Sequence, residues 1–259
     1  MLLRDRVAIV SGVGPGVGRE VALAFAREGA DVALAARTPA AVETLAAEVR
    51  ALGRRACGMP TDIAKPDDCR RLVETASAEL GGVDVLVNNA FLTHPWAPVE
   101  TADFEDWKRI FDVNLFGSLR LSQLVIPHMR RRGGGSIVMV NTMSMRIVEP
   151  TMGGYASSKG ALMTASQTLA REAGKDRIRV NSVVPGYIWS DKMDAYFRHL
   201  AKEQGRTYEQ VFDDVAGRTA LHHIPTSAEV AAAVLFFASD LSRAITGQAL
   251  DVNGGHFFH

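Results

Sequence analysis

Cysteine is scarce in this chain: Cys57 and Cys69 stand twelve positions apart, with no other thiol. That spacing suits neither a zinc ligand set nor a redox pair, so both read as reduced thiols of a cytoplasmic protein. Net charge is missing too. Lys and Arg together number 29, as do Asp and Glu, and a balanced surface has no field to draw a nucleic acid or an acidic membrane as partner. The apolar run VAAAVLFFA (230–238) is far short of the ~20 residues that a membrane span needs. Arg4, Asp5 and Arg6 stand where a signal peptide needs apolar side chains, so secretion is not expected. Of seven histidines, His222–His223 and His256/His259 are close enough in sequence to suggest metal ligands. Solvated or locally packed rings are the simpler reading, and no metal site is expected.

What is present is apolar bulk in a regular rhythm. Hydrophobic residues make up 47% of 259 positions, enough for one large core or two small ones. Short runs rich in Val, Ile and Ala fall at 6–11, 31–36, 54–60, 83–88, 135–141, 178–183 and 248–252. They are continuously apolar rather than alternating, as strands buried on both faces of a parallel sheet must be. Helical spacing fills the gaps, as in 18–29 and 39–53. The alternation predicts an α/β fold with a doubly wound, seven-stranded parallel sheet, and no linker or repeat divides the chain, so 1–259 is read as one domain. Pro127 either kinks the helical stretch 117–131 or ends it. A polar and aromatic insert at 190–225 follows the sixth strand, a usual place for a substrate lid.

The stretch SGVGPGVG (11–18) lies between the first strand and the first helix. Its Gly12, Gly16 and Gly18 follow G-x-x-x-G-x-G, not the better-known G-x-G-x-x-G. Such a turn is a plain corner or a phosphate cradle, in which glycine lets the backbone approach a pyrophosphate and the helix offers free N–H groups. Much later, Tyr155-Ala-Ser-Ser-Lys159 sets Tyr and Lys one helical turn apart on one face. With Asn88-Asn89-Ala90 at the end of the fourth strand, Asn114, Asp62, Pro185-Gly186 and the closing Asp251-Val-Asn-Gly-Gly255, the chain resembles the short-chain dehydrogenase/reductase family, essentially end to end, in its one-domain, Rossmann-type form.

The resemblance implies hydride transfer between a nicotinamide and a carbonyl or secondary-alcohol carbon of a small-molecule substrate. Tyr155 would be the acid/base, Lys159 would favour its phenolate and hold the nicotinamide ribose, and Asn114 would anchor a water in the proton relay. The family's serine, thirteen residues before the tyrosine, is here Thr142, which keeps the hydroxyl for the oxyanion; Ser144 is its rival. Phe91 replaces a usual glycine and either narrows the site or simply packs. Gly12, Gly16, Val17 and Gly18 match the pyrophosphate turn, with Ser11 and Arg19 as further phosphate contacts. Asp62 and Ile63 match the adenine position, Asn88, Asn89 and Ala90 the ribose-side wall, and Pro185, Gly186, Ile188 and Ser190 the carboxamide clamp. The second strand ends Ala36-Arg37-Thr38; with no carboxylate there and a guanidinium instead, NADP is expected, with NAD as the alternative.

Trp189, Met193, Tyr196 and Phe197 suggest a lid helix whose apolar stripe packs on the core, walls a substrate pocket, or both. Arg146 and Lys192 are the only unpaired cations expected near that pocket, which favours a medium-sized, largely apolar ketone or alcohol. Three other readings stand beside this one: an NAD-linked alcohol dehydrogenase, a lyase or epimerase using Tyr155 without net redox, and a non-catalytic nucleotide-binding protein. Retention of Tyr155 and Lys159 disfavours the last, and the early end after Gly255 disfavours the lyase or epimerase. The family usually forms tetramers through two long helices, here 103–131 and 153–174, and through the last strand and tail, so a homotetramer is expected.

Overall fold

The seven apolar runs become the strands Val7–Ser11 (β1), Asp31–Ala36 (β2), Ala56–Pro60 (β3), Val85–Asn88 (β4), Gly135–Val140 (β5), Ile178–Pro185 (β6) and Ala249–Val252 (β7). Their ends shift from the sequence reading by at most two residues. The computed structural model describes residues 1–258, the side chain of Lys192 excepted. The expectations for His259 and for the Lys192 charge therefore lie outside the described residues. All strand pairs are parallel, in the order β3-β2-β1-β4-β5-β6-β7.

Successive side chains of each strand feed two cores. Ala8 and Val10 of β1 pack beneath the helices Val17–Arg27 (α1), Pro39–Ala51 (α2) and Ser227–Ala238 (α9). Val7 and Ile9 face the helices Pro66–Leu80 (α3), Ser118–Arg132 (α5) and Gly153–Ala173 (α6). Helices on both faces leave the strands no wet side, which accounts for their unbroken apolar character. Pro39 and Pro66 open α2 and α3, where the missing N–H costs nothing. α3 and α5 stop at Gly81 and Gly133, both left-handed.

Between Phe104–Phe111 (α4) and α5 the chain widens into a π turn, Asp112–Gly117, which carries Asn114. Helices otherwise continue from 104 to 132. Pro127 does not end α5, which runs on to Arg132. The insert forms Asp191–Gln204 (α7) and Tyr208–Ala216 (α8), which pack on each other over a third, small core around Phe197, Val211 and Ile224. Tyr196 departs from the expected stripe and is 57% exposed. On α7 the buried line runs Met193, Phe197, Leu200, Ala201, because the narrow face of α8 covers a single 3.6-period stripe. Among the described residues no helix is long and apolar enough to cross a membrane.

The strand order reverses between β1 and β4. The chain fills the sheet outward from β1 to β3 and then returns to β4 on β1's other side, with Ser11 registered beside Asn88. The carboxyl ends of these two strands diverge into a crevice, the usual ligand position in such sheets. At the opposite edge Asp84, 2% exposed, accepts from Val7 N at 2.9 Å and from Arg132 Nε and Nη2 at 3.0 Å each. Asp84→Ala strands a buried N–H and a guanidinium together. It is expected to lower stability by about 2–4 kcal/mol in urea denaturation. A change under about 0.5 kcal/mol would mean that the carboxylate contributes little.

Candidate active site

β1 delivers the glycine turn into the crevice. Gly12 and Gly16 take φ of 85° and 106°, which side-chain-bearing residues rarely adopt. A Cβ on Gly12 would lie 2.5 Å from Ala90 N, and one on Gly18 would collide with the Gly12 carbonyl and lie 2.8 Å from Asn89 Nδ2. Asn89 Nδ2 donates to Gly12 O at 2.7 Å, locking the turn onto the end of β4. α1 then starts at Val17 with no side-chain cap, so its first N–H groups stay available to an anion. The glycines at 12 and 18 are required by this close packing of the turn on β4, and the uncapped start of α1 leaves donors at the same place.

Two of the expected phosphate contacts are placed otherwise. Ser11 is fully buried in β1, because odd positions of that strand point under α3 and α5. Arg19 is committed to Glu20 at 2.9 Å and Glu48 at 2.5 Å. Arg37, by contrast, is exposed at the end of β2 and has no ion-pair or hydrogen-bond partner among the described residues. With Thr38, Asp62, Ile63 and Ala90 it lines a cavity of about 260 Å³ that begins at Gly12. Asn88 points inward and donates to Ser122 Oγ at 3.2 Å.

α6 brings Tyr155 and Lys159 to the same sheet edge. Lys159 is 2% exposed, and Nζ donates to Val140 O at 2.7 Å; burial lowers its pKa to about 7. Thr142, leaving β5, has its hydroxyl beside the Tyr155 phenol and donates to Ser144 Oγ at 3.2 Å. Burial pushes the Tyr155 phenol up while the Thr142 bond pulls it down, so the chain alone does not favour the phenolate as expected. The reason is that Lys159 Nζ is turned onto the Val140 carbonyl. Asn114 is fully buried. Its Nδ2 donates to Leu92 O and Ser158 Oγ, both at 2.9 Å, and its Oδ1 accepts from Leu92 N at 2.7 Å. The π turn aims Asn114 at this clamp, which ties the loop after β4 to the helix of Tyr155.

Aromatic rings surround the tyrosine. Phe91 lies 6.4 Å from Tyr155, ring centre to ring centre, and is exposed rather than packed. Trp96 meets Tyr155 edge-on at 6.1 Å, with His94 against Trp96 at 4.8 Å. Sequence reasoning missed Trp96 and His94. The run Phe91-Leu-Thr-His-Pro-Trp96 directly after Asn88-Asn89-Ala90 was the available signal, since loops past a strand's carboxyl end face the crevice.

On the other side Gly186 allows the tail to cross: a Cβ there would lie 2.8 Å from Asn253 Cβ. Pro185 closes β6, and Ile188 packs against the α1/α9 core. Ser190 accepts from Met193 N at 3.3 Å and caps α7, so its hydroxyl serves the helix rather than an open clamp. Trp189, Met193 and Phe197 belong to the lid's own core, with Trp189 5.9 Å from Phe197 and 5.6 Å from Phe212. Arg146, expected unpaired, bonds Asp251 at 2.6 Å and ties the Thr142 loop to β7. His223 pairs with Glu229 at 2.9 Å, and His256 stands 5.6 Å from Tyr187. Cys57 and Cys69 are buried free thiols, Cys57 pushed up to about 11 by burial.

A family model described as enoyl-(acyl carrier protein) reductase matches residues 12–256. An uncharacterised short-chain type dehydrogenase/reductase of Sinorhizobium fredii is 34% identical over the whole of both chains. The 7α-hydroxysteroid dehydrogenase of Escherichia coli is 31% identical over 98% of this chain and 94% of its own. A structure of 7α-hydroxysteroid dehydrogenase with NADH and 7-oxo glycochenodeoxycholic acid superposes with a TM-score of 0.88, at 31% identity over 98% and 94% of the two chains.

The buried lysine predicts a pH signature. Unfolded, a lysine keeps its proton to about pH 10, whereas in the fold Lys159 loses it near 7. Between these values unfolding takes up a proton, so stability rises with pH, and below about 7 the whole cost of the buried charge is carried. Lys159→Met is expected to remove a rise of about 3–5 kcal/mol between pH 7 and 10, read as the difference between the two proteins' urea curves. Parallel pH profiles would contradict it.

Proposed function

The chain belongs to the short-chain dehydrogenase/reductase family, oxidoreductases working between CH–OH and C=O with a nicotinamide cofactor, and on that premise we propose an NADP(H)-dependent enzyme for a medium-sized, largely apolar ketone or secondary alcohol, with Tyr155 as its acid/base. The observation that carries this reading is the meeting of Tyr155 with Thr142, above buried Lys159, at the sheet edge that also holds the glycine turn.

The cradle fits a dinucleotide. Backbone N–H groups from Gly16 through Gly18 would take the pyrophosphate, the Gly12 N–H being held by Ala35 O at 2.7 Å; the cavity between Asp62, Ile63 and Ala90 would take the adenosine, and Pro185, Gly186 and Ile188 would bound the nicotinamide end. The bound nicotinamide supplies the hydride in reduction and accepts it in oxidation. Tyr155 gives its phenolic proton to the substrate oxygen in reduction and takes it back in oxidation, while Thr142 donates a hydrogen bond to that oxygen. Bringing the phenol near neutrality requires a shift of ~3 units, or ~4 kcal/mol. Burial works against this, so the shift would have to come from the protonated form of Lys159 together with the positive ring of the oxidised nicotinamide, and Asn114 holds Ser158 and the β4 loop in place.

Arg37, free and exposed beside Ala36, favours the 2′-phosphate of NADP over NAD. NAD is the live alternative, since NADH occupies the hydroxysteroid dehydrogenase neighbour. Phe91 and Trp96 favour an apolar substrate, in keeping with the steroid ligand of the former. The buried thiols suit a cytoplasmic protein.

Titration with NADPH and NADH, followed by nicotinamide fluorescence, tests the reading. NADPH is expected to bind at least about tenfold tighter, a difference of ~1.4 kcal/mol, and Arg37→Ala to erase the preference. Tyr155→Phe should keep cofactor affinity and lose about 10²–10⁴-fold in kcat. Equal NADH binding would move the assignment to NAD, and a Tyr155→Phe variant with normal kcat would refute the acid/base role.

We also propose a homotetramer. Phe104, Phe116 and Phe258 are exposed on the helices and tail named above, and β7 is an open sheet edge. Light scattering at micromolar concentration should give four chains; a monomer would refute it.

A further inference from the structure

The edge of the sheet opposite the glycine turn holds a second cavity. The first residues of β4, β5 and β6 (Val85, Gly135, Ile178) line a space of about 480 Å³. Five arginines and two aspartates border it: Arg6, Arg132, Arg177, Arg179, Arg243, Asp84 and Asp240. Asp84 is taken up by Arg132, and Arg6 reaches between Asp84 at 3.4 Å and Asp240 at 3.6 Å. Arg177, Arg179 and Arg243 therefore have no carboxylate within 4.0 Å among the described residues.

Arg179 is the telling one. It is only partly exposed, rising from β6, and its guanidinium donates to Ser242 Oγ at 2.6 Å and to Ser239 O at 3.1 Å. Both acceptors are neutral; burial, and then Arg6, work against its charge, and the exposed Asp240 offsets them only in part. A guanidinium in such a place is ordinarily matched by an anion. Helix ends account for part of the arginine here, because α5, α6 and α9 all finish at this edge and Ser239 is the cap of α9. They do not account for Arg177 and Arg243, which are exposed on the rim and whose guanidinium groups donate to no carbonyl among the described residues. Leu3, Ile178 and Ile245 add apolar wall, so the space suits more than a bare ion.

We propose that this cavity is a second ligand site, separate from the cofactor cleft, which binds a small phosphorylated molecule through Arg177, Arg179 and Arg243. Three forked donors match the several charged oxygens that a phosphate concentrates on one group. The apolar wall takes the organic part.

Calorimetric titration of the full chain with inorganic pyrophosphate tests the site. Arg177→Gln/Arg243→Gln changes two exposed side chains, and circular dichroism together with NADPH affinity checks that fold and cofactor cleft are intact. The wild type, saturated with the nicotinamide dinucleotide that it binds more tightly, is expected to bind one pyrophosphate that the double variant loses or holds at least about tenfold more weakly. Equal titrations of wild type and double variant would overturn the proposal, as would loss of that equivalent on saturation with the dinucleotide, which would place the probe in the cofactor turn. NADPH binding is read separately, so a failure of the cofactor assignment leaves this result legible.

Discussion

Between Gly12 and the backbone of Asn89–Ala90 there is room for a hydrogen atom and not for a carbon. That contact depends on the sheet, because only the reversal of strand order at β1 and β4 brings these two carboxyl ends side by side. The rest of the site is arranged around it. The turn frees the first N–H groups of α1, Asn89 fixes the turn, and the next residues, Ala90 and Phe91, begin the loop that reaches Tyr155. A substitution that lifted the turn by an ångström would misalign both ends of the crevice together.

A second constraint is the treatment of polar groups at that edge. Lys159, Asn114 and Ser158 are buried, and each has partners within the fold. Asn114 bridges two segments 22 residues apart on one side and 44 on the other, so one side chain sets the distance between the β4 loop and α6. Lys159 pays for its position: a buried ammonium held by a single carbonyl is costly, and that cost keeps it close to losing its proton.

Most of the fold was legible because buried parallel strands announce themselves by composition. The runs at 31–36 and 178–183 needed no partner information to be read. The chemistry was legible where the backbone or a fixed spacing carries it, as at Gly12, Gly16, Tyr155 and Lys159. What was not legible depended on contacts distant in sequence. Arg146 looked free because its partner, Asp251, lies 105 residues away. Tyr196 looked like core because helical spacing alone does not say how wide a face the partner helix covers. Trp96 was overlooked because a loop has no period to mark which side chains turn inward. Pro127 was ambiguous because sequence does not reveal whether a helix tolerates the missing N–H and runs on, as α5 does to Arg132.

The insert after β6 carries its own core. Phe197, Val211 and Ile224 bury their surface in one another, and Trp189 and Phe212 interlock above them, apart from the two sheet-face cores. Its ties to the rest of the chain are few: Leu221 N donates to Gly254 O at 3.0 Å and Ala220 N to Gly255 O at 3.3 Å, while Trp189 N on Pro225 O at 2.8 Å draws the two ends of the insert together. A unit that keeps its oil inside itself can change the face it turns to the crevice while the stability of the sheet stays where it was.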